Sequence, residues 1–239
     1  VTASSARTLH PGGYAPGNTA FRLIVFDWDG TLMDSEARIV DAMRRALVET
    51  GLEVPPRERL RAVIGLGLME AVAALLPRED RTTHARVADR YRTHYLAADG
   101  VPTPLFPGAR EAVETLHRRG HRLAVATGKS RRGLARSLDE SGLGGLFQAT
   151  RCADETCSKP HPRMLLELME ACAVGPEETL MVGDTEFDLE MACRAGVASV
   201  GVTWGVHPPE RLRRQAPLTI LDSLEALPRW LAAQRRAAA

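Results

Sequence analysis

Asp27-Trp28-Asp29-Gly30-Thr31 closes a short run of β-branched and aromatic residues and sets two carboxylates two positions apart. On an extended strand, side chains at i and i+2 share a side, so both acids leave the strand end together. A second acidic group, Gly183-Asp184-Thr185-Glu186-Phe187-Asp188, closes another apolar run. Between them lie Thr127-Gly128-Lys129-Ser130, again at the end of an apolar run, and Ser158-Lys159-Pro160. Clustered carboxylates repel one another unless a hard cation or a lysine offsets them. Three oxygen donors with open water positions suit Mg²⁺. A hydroxyl, a glycine amide and a cation at a strand-to-helix junction make a seat for one phosphate group.

Gly128-Lys129-Ser130 also resembles the end of a nucleotide-binding P-loop. That loop needs a glycine five positions before its second glycine, and Leu123, inside the apolar run, stands there. The P-loop is therefore excluded. Of 31 Lys+Arg residues only Lys129 and Lys159 are lysines, which points to places where a compact ammonium is needed. For Lys129 two readings stay open, a substrate contact and a surface cation at a helix start.

The elements that must position these groups follow from periodicity. Residues 21–27, 121–127, 146–151, 179–184, 198–203 and 217–221 read as strands. Residues 108–119, 131–141, 161–173 and 187–195 read as helices, the first ending at Gly120. Strands alternating with helices predict an α/β fold, a Rossmann-like parallel sheet flanked by helices, with reactive groups beyond the strands' carboxyl ends. Residues 36–100 break the alternation with four helical stretches, 36–51, 57–63, 68–77 and 80–98, and predict an all-helical cap inserted after the first strand.

Taken singly, each motif has a structural explanation as a turn, a helix start or a satisfied hydroxyl. Their order, with all of them at one sheet edge, is what carries chemistry. FDWDGTLMDS (26–35), ATGKS (126–130), SKPHP (158–162) and VGDTEFD (182–188) resemble the four motifs of the haloacid dehalogenase superfamily. The stretch 106–130 is similar to its phosphatases of the phosphoglycolate phosphatase type. The resemblance covers about residues 21–225. It implies residues 21–35 and 106–239 as the core, residues 36–105 as the cap, and a Mg²⁺-dependent phosphatase acting on a small phosphorylated metabolite. Asp27 would be the nucleophile and Asp29 the acid and base. Asp27, the Asp29 backbone carbonyl and Asp184 would hold the metal. Thr127 and Lys159 would hold the phosphoryl group and offset its charge, with Gly30, Thr31, Gly128 and Lys129 as substrate-binding positions. Asp188 would orient Lys159 or a metal-bound water. Trp28 should point away from the site, and Gly128 stands where close relatives often have Asn.

Met33-Asp34-Ser35 and Pro107-Gly108 are the expected hinges of the cap. The loop Ile64-Gly65-Leu66-Gly67-Leu68 either dips toward substrate or only breaks a helix, and Glu36 and Arg38 are candidates for substrate contact. A phosphoryl mutase on the same scaffold and a phospho-accepting binding module remain alternatives. A dehalogenase has no use for Asp29, and a receiver module would not carry the helical insertion.

Composition bounds the partners. A net charge of +1 with 30 acidic residues gives no field for nucleic acid, and no apolar run reaches a membrane span. Four cysteines without a metal-site spacing predict reduced, partly buried thiols and a cytoplasmic protein. Monomer or homodimer is the expected state. Residues 1–20 lack an apolar core of leader length and read as a poorly ordered extension.

Overall fold

The six apolar runs pair as one parallel sheet in a computed structural model that describes residues 21–97 and 101–237. The expectation for residues 1–20 lies outside the described residues. The strands are β1 (Leu23–Phe26), β2 (Arg122–Thr127), β3 (Ala149–Cys152), β4 (Thr179–Gly183), β5 (Ala198–Val202) and β6 (Thr219–Leu221), in spatial order β3-β2-β1-β4-β5-β6. The third strand starts later than its sequence pattern, because Gly144–Leu146 first makes a turn of 3₁₀-helix.

Both faces of the sheet are buried, and the strands alternate accordingly. Ile24, Phe26, Leu123, Val125, Leu180 and Val182 join one apolar cluster. Leu23, Val25, Ala124, Ala126 and Met181 join the cluster on the opposite face. The core helices cover these faces: α5 (Ala109–Arg118), α6 (Arg131–Ser141), α7 (Arg163–Cys172), α8 (Glu186–Arg194), α9 (Pro209–Arg213) and α10 (Ala226–Ala237). Helix α5 buries Ala109, Ala112, Val113 and Leu116 on one side and ends before Gly120, whose φ of 82° is the left-handed geometry that stops a helix.

Strand β1 has β2 on one side and β4 on the other, so the chain's direction of winding reverses beside it. Such a switch point opens a crevice at the carboxyl edge. Register fixes what meets there. Phe26 pairs with Val125 and with Val182, so Asp27, Thr127 and Asp184 all emerge within one residue step of one another.

Between β1 and α5 stand α1 (Glu36–Glu49), α2 (Arg57–Arg61), α3 (Leu68–Leu75) and α4 (Arg81–Leu96). They build a separate apolar cluster from Val40, Met43, Ala46, Leu47, Val72 and Val87, into which Val206 of the core also packs. The two chain crossings lie side by side: Asp34 N donates to Pro104 O at 2.8 Å and Phe106 N to Leu32 O at 2.9 Å. Among the described residues no helix is long and apolar enough to cross a membrane.

Leu116 is fully buried in α5. Leu116→Ala should lower unfolding free energy by about 2–5 kcal/mol without altering the site, as measured by urea denaturation. A loss below 1 kcal/mol would mean that α5 is not anchored to the sheet as described.

Candidate active site

Asp27 follows β1 directly, and its backbone N–H donates to Val182 O at 2.9 Å, which locks the strand end to β4. Its carboxylate is 1% exposed. Lys159 Nζ donates to Asp27 Oδ1 at 2.7 Å and lies 2.6 Å from Asp188 Oδ1, with its own side chain fully buried. Burial raises the Asp27 pKa well above the ordinary range, Lys159 pulls it down, and the Asp188 and Asp184 charges push it up again. For Lys159, burial works against the charge, but Asp188 and Asp27 outweigh it and hold the ammonium above its usual pKa.

Asp184 is clenched. Its Oδ1 accepts from Thr31 Oγ1 at 2.9 Å and its Oδ2 from Val206 N at 2.8 Å. A Cβ on Gly30 would come within 2.3 Å of Asp184 Oδ2, and one on Gly205 within 2.2 Å of its Cβ. Glycine is required at both places by close approach, and at Gly30 by a φ of 87° as well. Burial, then the Asp188 charge, raise the Asp184 pKa to about 7. Asp188 opens α8 in a reciprocal cap: its Oδ2 accepts from Thr185 N at 3.0 Å, and Thr185 Oγ1 accepts from Asp188 N at 3.4 Å.

Asp27, Asp184 and Asp188 bring one oxygen each within 4.8 Å of one another. Asp27 Oδ2 is buried and has no hydrogen-bond partner among the described residues. A buried acceptor without a partner is costly, and three carboxylates share a single lysine. The donors are hard oxygens, so the set fits a hard divalent cation. Asp188 joins this side-chain triplet and, as the sequence reading had it, also stands against Lys159, its Oδ1 2.6 Å from Nζ. The Asp29 side chain is not part of the triplet.

Asp29 lies on the wall of a cavity between sheet edge and cap. Its Oδ1 accepts from Ser35 Oγ at 2.5 Å and from Lys129 Nζ at 2.8 Å. Lys129 is only 9% exposed, so the surface-cation reading does not hold. Its ammonium also donates to Tyr95 Oη, at 2.6 Å, near the end of α4. Burial opposes its charge, and Asp29 and Tyr95 together raise its pKa. Thr127 is buried at the end of β2, lines the cavity and accepts from Lys129 N at 3.2 Å. Ser130 caps α6 by accepting from Gly133 N at 3.2 Å.

Three expectations need correcting. Gly30 and Thr31 are not on the cavity wall and serve Asp184 from behind. Glu36 does not reach the cavity, because Arg57 and Arg61 hold its carboxylate at 2.7 and 2.8 Å. Arg38 donates to Tyr95 O, with its Nη2 at 2.6 Å, and packs over the Tyr95 ring instead of lining the cavity.

The 64–68 loop does reach the site. Gly67 N donates to Ser158 Oγ at 2.7 Å, beside Lys159. A Cβ on Gly128 would meet Leu66 O at 2.4 Å and Gly65 O at 2.8 Å, so Gly128 lets the cap loop close against the end of β2. His207 adds a second tie. Its Nδ1 accepts from Glu186 N at 3.0 Å, leaving Nε2–H toward Ala62 O at 3.3 Å in the cap. Burial, with the Arg211 charge, lowers its pKa and keeps it neutral in that role. Trp28 is fully buried against Met33 and Phe147, away from the cavity. Tyr95, Val206 and His207 carried no motif signal, and Ser35 was read only as the end of the first motif and part of a hinge. Only the fold brings them to the acids.

With this geometry in view, the comparisons with known proteins are decisive. The family model for haloacid dehalogenase-like hydrolases matches residues 24–202. The chain belongs to that family. It is 38% identical over 207 residues to a Dickeya dadantii protein named "Probable phosphatase IndB", covering 84% of this chain and 89% of that one. It is 33% identical over 220 residues to a phosphoglycolate phosphatase of Pseudomonas putida, covering 89% and 80%. Among solved structures, that of a "predicted phosphoglycolate phosphatase" from Haemophilus somnus superposes with a TM-score of 0.79 at 25% identity, over 90% of this chain and 99% of that one.

Removing the one cation from a buried acid cluster leaves uncompensated charge. Lys159→Met should therefore cost about 3–5 kcal/mol at neutral pH. Asp27 and Asp184 have raised folded pKa values, so their burial penalty is full above those values and fades as pH falls toward the ordinary carboxylate range. The deficit against wild type should thus shrink in acid. Denaturation across pH checks this, and a deficit that is constant or grows in acid would contradict it.

Proposed function

We propose that this chain hydrolyses a small phosphate monoester with Mg²⁺ as cofactor, through a phosphoryl group held on Asp27. Family membership and the curated relatives make it a phosphoric monoester hydrolase. Magnesium and a small phosphorylated metabolite are the added steps, and phosphoglycolate, on which the Pseudomonas putida relative is named to act, is the first compound to try. The observation that supports the reading most is the buried, partnerless Asp27 Oδ2 beside a lysine and two further acids, on a residue that lines the cavity.

Asp27, Asp184 and Asp188 are the side chains that would hold the ion, with the Asp29 carbonyl as the backbone position. When bound, the ion supplies positive charge that lets a carboxylate approach a phosphate dianion. Lys159 offsets the charge of the Asp27 carboxylate, one oxygen of which forms the bond to phosphorus as the ester P–O bond breaks. Thr127 stands at the neighbouring strand end to donate to a phosphoryl oxygen. Asp29 gives its proton to the departing alkoxide. Ser35 and Lys129 both bind Oδ1 of Asp29, so its Oδ2 is left for that proton. Asp29 then takes a proton from water, whose oxygen attacks phosphorus. The P–O bond to Asp27 breaks, and inorganic phosphate and the free carboxylate remain. Dividing the hydrolysis between two displacements lowers each barrier.

The cysteines are free, with Cys152 and Cys172 buried and Cys157 and Cys193 exposed. Unpaired thiols fit a reducing compartment, and a cytoplasmic setting belongs to the same proposal.

Asp27→Asn should lower turnover of a phosphate-ester panel by about 10³-fold or more, the scale of losing a nucleophile, as read by released inorganic phosphate with and without Mg²⁺. Release that survives the substitution, or that ignores Mg²⁺, would contradict the proposal. Protons and the ion compete for Asp184, whose pKa is raised to about 7. The gain in thermal stability on adding Mg²⁺ should therefore grow as pH rises through 7. An equal or larger gain on the acid side would count against the acid triplet as the site.

A further inference from the structure

The cavity between cap and sheet edge has a volume of about 450 Å³. Cavities of roughly 300–1,000 Å³ hold ligands far bulkier than a two-carbon acid. The floor is the reactive edge, Asp27, Asp29, Thr127 and Lys129. The cap side is hydrocarbon, contributed by Ile39, Met43, Leu60, Leu66, Met69 and Leu96. Among the described residues Leu66, Met69 and Leu96 are not members of the cap's own apolar cluster, so that cluster does not account for their place on this wall.

Charge argues in the same direction. Phosphoglycolate carries a carboxylate beyond its phosphate and needs a cation to receive it. Among the described residues the cavity has three candidate cations. Lys129 is committed to Asp29 at 2.8 Å and to Tyr95 at 2.6 Å. Arg92 is half-exposed and its contact with Asp89 at 2.5 Å lies at the surface, where water weakens its pairs. Arg132 is exposed at the start of α6, where water weakens any pair it makes. Glu70 and Asp154 also line the cavity and would repel a second anion.

The geometry points to a phosphate monoester of a bulky, uncharged and largely apolar alcohol as the preferred substrate class, with the phosphate at the acid edge and the alcohol against the Leu66–Met69 wall. This rests on the phosphatase reading above. Burying each methylene against such a wall strengthens binding about three- to fourfold. Where that contact persists into the transition state, kcat/KM rises by the same factor.

The test is kcat/KM of the full chain with Mg²⁺ on phosphoglycolate and on the phosphates of ethanol, butanol, hexanol, octanol and 2-phenylethanol. The alkyl and phenethyl leaving alcohols have similar acidity, so size is what that series reads. The expected result is a rise of about threefold per methylene until the cavity fills, with hexyl and phenethyl phosphate exceeding phosphoglycolate by about 10²-fold or more. Met69→Trp should lower the ratio of phenethyl to ethyl rates, while Asp27→Asn abolishes all of them. A flat alkyl series, or phosphoglycolate as the best substrate, overturns the inference and leaves the phosphatase reading standing. Wild type that turns over none of these esters removes the phosphatase reading itself. The wild-type series decides even if the Met69 variant fails to fold.

Discussion

The ammonium of Lys159, fully buried between Asp27 and Asp188, is the interaction on which the site depends. Three carboxylates gathered in a dry place are unstable without it. Their gathering is a consequence of topology, because β1 and β4 are neighbours at the switch point and their registers bring Asp27 and Asp184 out together. Space is then cleared around the acids by removing side chains. Gly30 and Gly205 leave room for Asp184, and a Cβ on Gly183 would come within 2.4 Å of the Asp188 Cβ.

The two acids of Asp27-Trp28-Asp29 leave the same strand end and meet different surroundings. Both line the cavity, but Asp27 is held by the fully buried Lys159, whereas Asp29 is held by Lys129 and Ser35. The only two lysines of the chain thus each pair with one of these carboxylates. A compact ammonium fits a slot that a planar guanidinium would overfill, which accounts for lysine here in a chain that uses arginine everywhere else. On the proposed mechanism the division also separates chemical tasks: Asp27 as nucleophile and Asp29 as proton carrier. The cap joins in through Tyr95 on Lys129, Gly67 on Ser158 and the close fit of the 64–68 loop over Gly128.

Much of this was legible in the sequence, for physical reasons. Strands buried on both faces read as apolar runs, and acids at their ends break the pattern visibly. Alternation gave the six strands and four of the six core helices to within a few residues, missing α9 and α10, and the long helical interruption marked the cap. What escaped is set by contacts between distant segments. Tyr95 sits 34 positions before its partner Lys129 and belongs to no local motif. The Gly205–Val206 amide that holds Asp184 follows a strand without any acid of its own. Glu36 and Arg38 misled because nearness to a hinge is not nearness to the cavity, and both are absorbed by partners within the cap. Gly30 and Thr31 lie within the right motif, yet they serve the neighbouring strand's acid.

The central claim is that the Asp27 carboxylate carries the phosphoryl group between two displacements. It is tested most directly by acid quench of the enzyme during turnover of its best ester, followed by mass spectrometry of the peptide containing residues 23–38. The account predicts one phosphoryl group on Asp27, labile to hydroxylamine as an acyl phosphate is. A peptide that stays unmodified under rapid turnover, or a phosphoryl group found on another residue, would contradict it.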